Sequence, residues 1–575
     1  MDYGITVIIT VTNIVRSGIY VESNLHQSAK PTMKVANAIA EVLKREGIDF
    51  IVAYPLTAIV EAAAEADIRT IIVRQERTGL HMADAVSRLS SGKRIGVFAM
   101  QQGPGAENAF GGVAQAYAES SPILVFPTGV ARQWANVPPN FSSLLNYRNV
   151  TKWCDQVPMP QALPGIMRRA FSQLRNGRPG PVLVEIPCDV LEEEFDGPLD
   201  YEPSLTTRTA PDPGQVDSVA EILISARCPV IYAGQGVHYA RAWDELRQIS
   251  ERLNAPVMTS LTGKSAFPEN HPLALGTAGV ALPKTVHHFL RQCDVILGIG
   301  CSFSETSFGT KMPSDKVIIH ATLDPADLNK DLRVQHALLG DAQLTLQALL
   351  QAIGTRHSQA QQRRGPIHSE IKGIKDAWLQ QWMPKLTSDE VPLSPYRIIW
   401  DLMHTVDLPN TIITHDAGSP RDQLSPFWQS VKPLSYIGWG KSTQLGYGLG
   451  LTMGAKLACP DKLAINVWGD AAIGHTGMDF ETAVREKIPI LSILFNNFAM
   501  AIEIPVMPVS QEKYGNINIT GNYADMARAF GGHGERVTQP SEIIPAIKRG
   551  IQKTREGTAS LLEFITAKEI AFSKF

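Results

Sequence analysis

From about residue 31 onward the chain alternates short, continuous apolar runs with amphipathic stretches of helical period. IGVFAM (Ile95–Met100), ILVFPTG (Ile123–Gly129), VILGIG (Val295–Gly300), LAINVW (Leu463–Trp468) and ILSILF (Ile490–Phe495) are too short for buried helices. They are also too uniformly apolar for strands with one face in water. Strands of that kind are buried on both faces and covered by the helices between them, which is the pattern of parallel α/β sheets. A chain of 575 residues exceeds what one core can hold. Breaks in the rhythm divide it into three consecutive doubly wound domains, at residues 31–195, 215–352 and 390–575. The polar, proline-bearing stretch Asp196–Gly214 reads as a linker, and 353–389 as a charged connector without strands, helical or loose. Residues 1–30 stand outside the rhythm as an N-terminal extension.

Composition narrows the classes of partner. The formal charge is −3 with the signs interspersed, so no basic face for a nucleic acid is expected. Six scattered cysteines lack CxxC spacing, which predicts reduced thiols and a cytoplasmic location rather than a disulfide framework or zinc site. No run approaches the roughly 20 apolar residues of a membrane span. Ile5–Thr12 is apolar but lacks the basic flank and cleavage site of a signal peptide.

The chemistry concentrates in the third block. One apolar run ends in Gly469-Asp470, and the next ends in Asn496-Asn497, with Asp470 and Asn497 27 positions apart. At the ends of neighbouring parallel strands, Gly469 permits a tight turn and Asp470 offers a carboxylate. Asn497 adds a neutral oxygen, and a helix starting nearby offers N–H groups to a phosphate. A carboxylate, an amide oxygen, a backbone carbonyl, water and two phosphate oxygens form the octahedral oxygen shell that Mg²⁺ prefers. The residues thus predict a diphosphate–metal site.

This ordered set resembles the signature of thiamine diphosphate-dependent enzymes. Gly446-Tyr447-Gly448-Leu449 matches the segment after the family's cofactor-bending residue, which puts Leu445 under the cofactor. The resemblance implies that Leu445, Gly446, Gly469, Asp470, Ala471, Asn497 and Met500 surround thiamine diphosphate. It also implies that Asp470, Asn497 and the Ala499 carbonyl hold Mg²⁺. In the first block, VRQERTGLHMADAVSRLSSG (Val73–Gly92) resembles the activating-glutamate segment, with Glu76 at the matching position. Such a carboxylate hydrogen-bonds the cofactor's pyrimidine ring and promotes proton removal from the thiazolium. His81 and Asp84 share the segment, where surface or packing roles are equally open. The family also implies a homodimer or homotetramer with active sites at the subunit interface.

Within the family, the branch of acetolactate synthases, oxalyl-CoA decarboxylases and 2-hydroxyacyl-CoA lyases fits best. Acetolactate synthases carry a glutamine where this chain has Gly129, and a methionine–tryptophan pattern where it has Phe498–Glu503. QQGPGAENAFGG (Gln101–Gly112), FNNFAMAIE (Phe495–Glu503) and the tail LLEFITAKEIAFSKF look most like the actinobacterial type of 2-hydroxyacyl-CoA lyase. That resemblance implies cleavage of an acyl-CoA substrate to formyl-CoA and an aldehyde or ketone. Glu503, six positions past Asn497 in a segment with no other ionisable group, is the candidate for handling a proton. The central block would then hold the adenosine diphosphate part of CoA near Gly234-Gln235-Gly236 and Asp324. The same patterns occur in relatives that hold FAD there, and in empty domains. The alternative is an acetolactate synthase-like carboligase or decarboxylase acting on free 2-oxo acids.

Overall fold

The computed structural model describes residues 32–55, 57–356 and 367–575. The extension at residues 1–30 lies outside them. Three six-stranded sheets, parallel throughout, follow one another along the chain. The first contains β1 (Phe50–Ala53), β2 (Arg69–Ile72), β3 (Gly96–Met100), β4 (Ile123–Gly129), β5 (Trp153–Gln156) and β6 (Val182–Pro187). The second contains β7 (Pro229–Ala233), β8 (Val257–Ser260), β9 (Ala274–Ala278), β10 (Val295–Ile299), β11 (Val317–Thr322) and β12 (His336–Leu339). The third contains β13 (Thr411–His415), β14 (Tyr436–Ile437), β15 (Leu463–Gly469), β16 (Leu491–Asn496), β17 (His533–Val537) and β18 (Ser560–Ile565). Each apolar run quoted above falls on a central strand, as burial on both faces requires.

The first sheet has the order β2-β1-β3-β4-β6-β5 and the third has β14-β13-β15-β16-β18-β17, so the two share one topology. The second, β9-β8-β7-β10-β11-β12, is the order of a dinucleotide-binding fold. In each sheet the connections leave the first strand towards one edge and then return past it to the other side, and the crevice at that switch is where a ligand fits. Those places are β1/β3, β7/β10 and β13/β15.

The outer two domains meet through α1 (Glu76–Leu89) and a helix of the third domain, Tyr447–Ala458. Leu80, Met82 and Ala85 of the one share an apolar cluster with Leu449, Leu451 and Met453 of the other. Their backbones touch because Gly450 and Gly454 lie in the contact. A Cβ on Gly454 would collide with the Met82 carbonyl oxygen, and one on Gly450 would lie 2.5 Å from that of Thr78. The central domain keeps its own cluster, from Val216 to Ile371. The connector contains a helix over Ile367–Leu386. Ile367 and Ile371 at its start belong to the central core, whereas Trp378 and Leu386 belong to the third domain's core.

Candidate active site

The crevice at β13/β15 contains a cavity of about 90 Å³. Its walls include Leu445, Gly469, Asp470, Ala471, Asn497, Ala499, Met500 and Glu503, so eight of the residues singled out from sequence face one space. Gly446, at the left-handed φ of 88°, lies directly behind Leu445.

β15 delivers Asp470 to the start of a seven-residue helix, Asp470–Thr476, whose Ala472 and Ile473 pack into the same apolar cluster as Phe480. One carboxylate oxygen of Asp470 accepts the N–H groups of Asn497 (3.1 Å) and Ala499 (3.2 Å). The other accepts the N–H of Ala471 at 2.9 Å, so the helix N–H nearest the cavity is occupied by the aspartate itself. Asn497 Oδ1 accepts the Ala499 N–H at 3.0 Å. Burial pushes the Asp470 carboxyl up to about 6, while these backbone N–H groups pull it down. The set is a carboxylate, an amide oxygen and a backbone carbonyl, all hard oxygen donors. Among the described residues, no three His, Cys, Asp or Glu side chains converge as a metal cluster. A cation here would complete its shell with oxygens from a ligand, as a Mg²⁺–diphosphate pair does.

The position of Leu445 is fixed from two sides. The helix Tyr447–Ala458 begins at a glycine, which has no side chain to cap its N-terminal N–H groups. Asp416, fully buried beyond β13, supplies the acceptor: it takes the N–H groups of Gly446 (2.9 Å) and Gly448 (2.8 Å). Thr476 donates its hydroxyl to the Gly446 carbonyl at 2.8 Å. Burial pushes the Asp416 carboxyl up to about 6 against these three backbone N–H groups, its neighbour Ala417 included. Sequence reasoning did not single out Asp416, although an aspartate closing the strand TIITH is the signal that marks it.

Glu76 is the first residue of α1 and is buried, at 3% exposure. Burial pushes its carboxyl up from the ordinary 4.5. Its own backbone N–H and the Asn108 side chain, both hydrogen-bonded to it, offset part of that, and Asp479 adds repulsion. The glycine-rich turn before the helix Pro104–Ala118 comes within contact of it, since a Cβ on Gly105 would lie 3.6 Å from Glu76 Oε1. Glu76 does not line the cavity of Asp470 and Asn497 in the same chain.

His81 and Asp84 are both buried between α1 and the helix Tyr447–Ala458. Asp84 accepts two hydrogen bonds from Arg88 (2.6 and 3.1 Å), one from Ser121 (2.6 Å) and one from Tyr447 (2.7 Å). It therefore ties the outer domains together, while His81 packs edge-on against the Tyr447 ring. Burial, with Arg77 and Arg88 nearby, holds the His81 imidazole well below its usual range, in the neutral form.

A second cavity, of about 780 Å³, opens at the β7/β10 crevice. It is lined by Gln235, Gly236, Cys301 and Asp324 of the central domain, Arg178 of the first and Lys441 of the third. Gly234 stands behind the wall, where a Cβ would collide with the Gly300 carbonyl oxygen, so its smallness serves backbone packing. Asp324 is paired with Arg178 at 3.3 Å. Burial, reinforced by Arg178, pushes the Lys441 ammonium down to about 8.

Gly129, the residue that departs from the acetolactate synthase pattern, sits under Glu185. A Cβ there would meet the Glu185 side chain at 3.0–3.2 Å. Glu185 is in turn held by Gln156 (2.6 Å) and the Ser143 N–H (3.2 Å).

Three family models match the chain. They are the thiamine pyrophosphate enzyme N-terminal TPP binding domain at residues 33–159, its central domain at 216–349 and its C-terminal TPP binding domain at 416–564. A probable acetolactate synthase large subunit of Methanocaldococcus jannaschii is 31% identical over 550 residues, covering 90% of each chain. That of Methanococcus aeolicus is 30% identical over 547 residues, again 90% of each. The isozyme 3 large subunit of Escherichia coli is 26% identical over 552 residues, covering 90% of this chain and 92% of its own. These names shift the balance between the two readings of the sequence. They favour the acetolactate synthase-like alternative over the 2-hydroxyacyl-CoA lyase, and they lend no support to a CoA-type nucleotide in the central domain.

Proposed function

Because the chain belongs to the thiamine pyrophosphate enzyme family, we propose that it uses thiamine diphosphate and Mg²⁺ to decarboxylate or carboligate a free 2-oxo acid. The observation that carries this reading is the likeness to acetolactate synthase large subunits along 90% of the chain.

The cavity beside β15 suits the cofactor's diphosphate end. Asp470, Asn497 and the Ala499 carbonyl would hold Mg²⁺, and the small residues Gly469 and Ala471 leave room for phosphate oxygens. Leu445, braced by Asp416 and Thr476 through Gly446, would support the thiazolium side. Bound thiamine diphosphate supplies an acidic thiazolium carbon and an electron sink. Glu76 would hold the proton shared with the pyrimidine ring. A carboxyl raised by burial keeps that proton nearer neutral pH than an exposed glutamate does. Glu76 is not among the residues lining the cavity of the metal-binding set in its own chain. The family's arrangement, in which the first domain of one subunit faces the third domain of another, would bring a second copy's Glu76 to this site. This supports a homodimer or homotetramer.

Two observations favour the second reading, a 2-hydroxyacyl-CoA lyase releasing formyl-CoA. Glu503 lines the same cavity as Asp470 and would be the carboxyl available there for proton transfer, and Glu185 lies against Gly129. The 780 Å³ cavity would then take the nucleotide of an acyl-CoA. Mass spectrometry of products from free 2-oxo acids and from 2-hydroxyacyl-CoAs, each with thiamine diphosphate and Mg²⁺, separates the two. A 2-hydroxy-2-alkyl-3-oxo acid or an aldehyde from the 2-oxo acid is expected. Formyl-CoA alone would move the enzyme to the lyase branch, and no product from either substrate would overturn both.

A further inference from the structure

The turn that carries Asn497 and Ala499 is built on a buried carboxylate about 65 residues further along the chain. Glu563, in the middle of β18, is fully buried. It stands opposite Leu494 of β16, so its side chain shares a face with Asn496, two residues on. Four N–H donors converge on it: Asn496 Nδ2 at 2.7 Å, the Ala524 backbone at 3.0 Å, and Arg536 Nε and Nη2 at 3.1 and 2.9 Å. A charge buried to this extent persists only when its acceptor sites are filled. Here they are filled by groups from three separate elements.

The bond to Asn496 decides which way that amide faces. With its NH₂ committed to Glu563, Asn496 Oδ1 turns to the Phe498 N–H and accepts it at 3.1 Å. Phe498 holds φ at 56°, a conformation costly for a bulky residue, so the turn needs such a fastening. On either side of Phe498, the N–H groups of Asn497 and Ala499 point to Asp470. The path therefore runs Glu563, Asn496, Phe498, and ends on the oxygens proposed to hold Mg²⁺.

We infer that Glu563 and Asn496 are positioning residues for the metal site: Glu563 sets the Asn496 amide, and that amide sets the 497–499 turn. The inference rests on the proposed Mg²⁺–thiamine diphosphate site. Partners that orient metal ligands from outside the coordination shell typically contribute about 10–100-fold in metal affinity.

The test is calorimetric titration of Mg²⁺ into the full-length protein with saturating thiamine diphosphate, with far-UV circular dichroism to confirm folding. Asn496→Ala removes both amide bonds and leaves Glu563 its bonds to Arg536 and Ala524. Glu563→Gln sets a donor against a donor. Each should weaken Mg²⁺ by about 10–100-fold. The double variant Asn496→Asp/Glu563→Gln reverses the pair's polarity at unchanged net charge. The new amide donates to the new carboxylate, which again accepts the Phe498 N–H. Arg536 Nη2, which shared the replaced oxygen, keeps the Gly521 carbonyl, while Arg536 Nε and the Ala524 N–H keep the remaining oxygen. It should bind Mg²⁺ within about threefold of wild type, a rescue that a general packing role for Glu563 would not give. Wild-type affinity in Asn496→Ala would overturn the inference, as would a double variant as weak as the singles. If neither single variant folds, the double decides alone. Absence of Mg²⁺-dependent cofactor binding in the wild type would instead overturn the proposed function together with the inference.

Discussion

The two outer domains and the central domain are all six-stranded parallel sheets, yet they are built into the molecule differently. The outer pair repeat one strand order and bury a common apolar cluster between α1 and the helix Tyr447–Ala458. The central domain has another strand order and a core of its own, joined to the third domain's core through the helix Ile367–Leu386. Sharing a core ties the outer domains' stability and geometry together, because a displacement in one is felt in the packing of the other. The central domain keeps a core of its own and a large cavity at its switch point, walled in part by Arg178 and Lys441 of the outer domains. The outer pair are thus packed so that their crevices keep register, while the central domain adds a cavity at its own crevice.

The two outer crevices are where this difference is most sharply broken. Asp470→Ala should abolish Mg²⁺-supported binding of thiamine diphosphate, because Mg²⁺ then loses its one anionic protein ligand, and without the cation nothing at the site neutralises the diphosphate charge. Calorimetry with cofactor and Mg²⁺ reads this directly, and unchanged affinity would remove the diphosphate site from the third domain. Glu76→Gln should leave that affinity near wild type while turnover falls by about 10²–10⁴-fold, the usual share of an acid–base group. Steady-state kinetics with 2-oxo acid at saturating cofactor gives the number. A fall of only a few-fold would take the acid–base role from the first domain.

Leu449→Ala and Leu297→Ala compare the shared core with the separate one. Both leucines are fully buried, and each truncation should cost about 2–5 kcal/mol. Hydrogen exchange should show protection lost in both outer domains for Leu449→Ala. For Leu297→Ala the loss should concentrate in residues 216–353. Equal, global loss in both variants would mean that the three domains unfold as one.

The smallest effect concerns Asp416. Its carboxyl titrates at about 6 in the folded chain against an ordinary 3.8, raised by burial. Between those values the native state holds a proton that the unfolded chain has released. Stability of the cofactor-free protein should therefore fall as pH rises through that window and level off above it. Each tenfold difference in proton affinity between the folded and unfolded chain is worth about 1.4 kcal/mol. Asp416→Asn should flatten the slope, as followed by urea unfolding at a series of pH values. An identical slope in the variant would assign the titration to another group.

Much of the site was legible in the chain because strand ends in parallel sheets gather at one edge. Apolar runs marked the strands, and Asp470 and Asn497 closed two of them, so a neighbouring-strand arrangement brought their oxygens together. Residues 445, 469–471, 497, 499, 500 and 503 face one cavity for that reason. The residues that hold those groups in place were not legible. Asp416 reaches Gly446 across 30 positions, and Glu563 reaches Asn496 across 67. Nothing local requires such pairs. Glu563 reads in sequence as one charge in an apolar tail, and only burial with four converging donors gives it a purpose.

Local alternation of apolar runs and helical stretches determined the fold class, because strand burial and helix amphipathicity are written in residue periods of a few positions. The Gly-Asp and Asn-Asn strand ends determined the cofactor chemistry, because ligand type and charge are properties of the side chains themselves. Strand order, the common topology of the outer sheets and the contact of Gly450 and Gly454 with α1 were decided by tertiary structure. So were the burial of His81 and Asp84 and the absence of Glu76 from the walls of the cavity that holds Asp470 and Asn497. Those depend on which surfaces pack against which, and packing is settled by the summed shape of residues hundreds of positions apart.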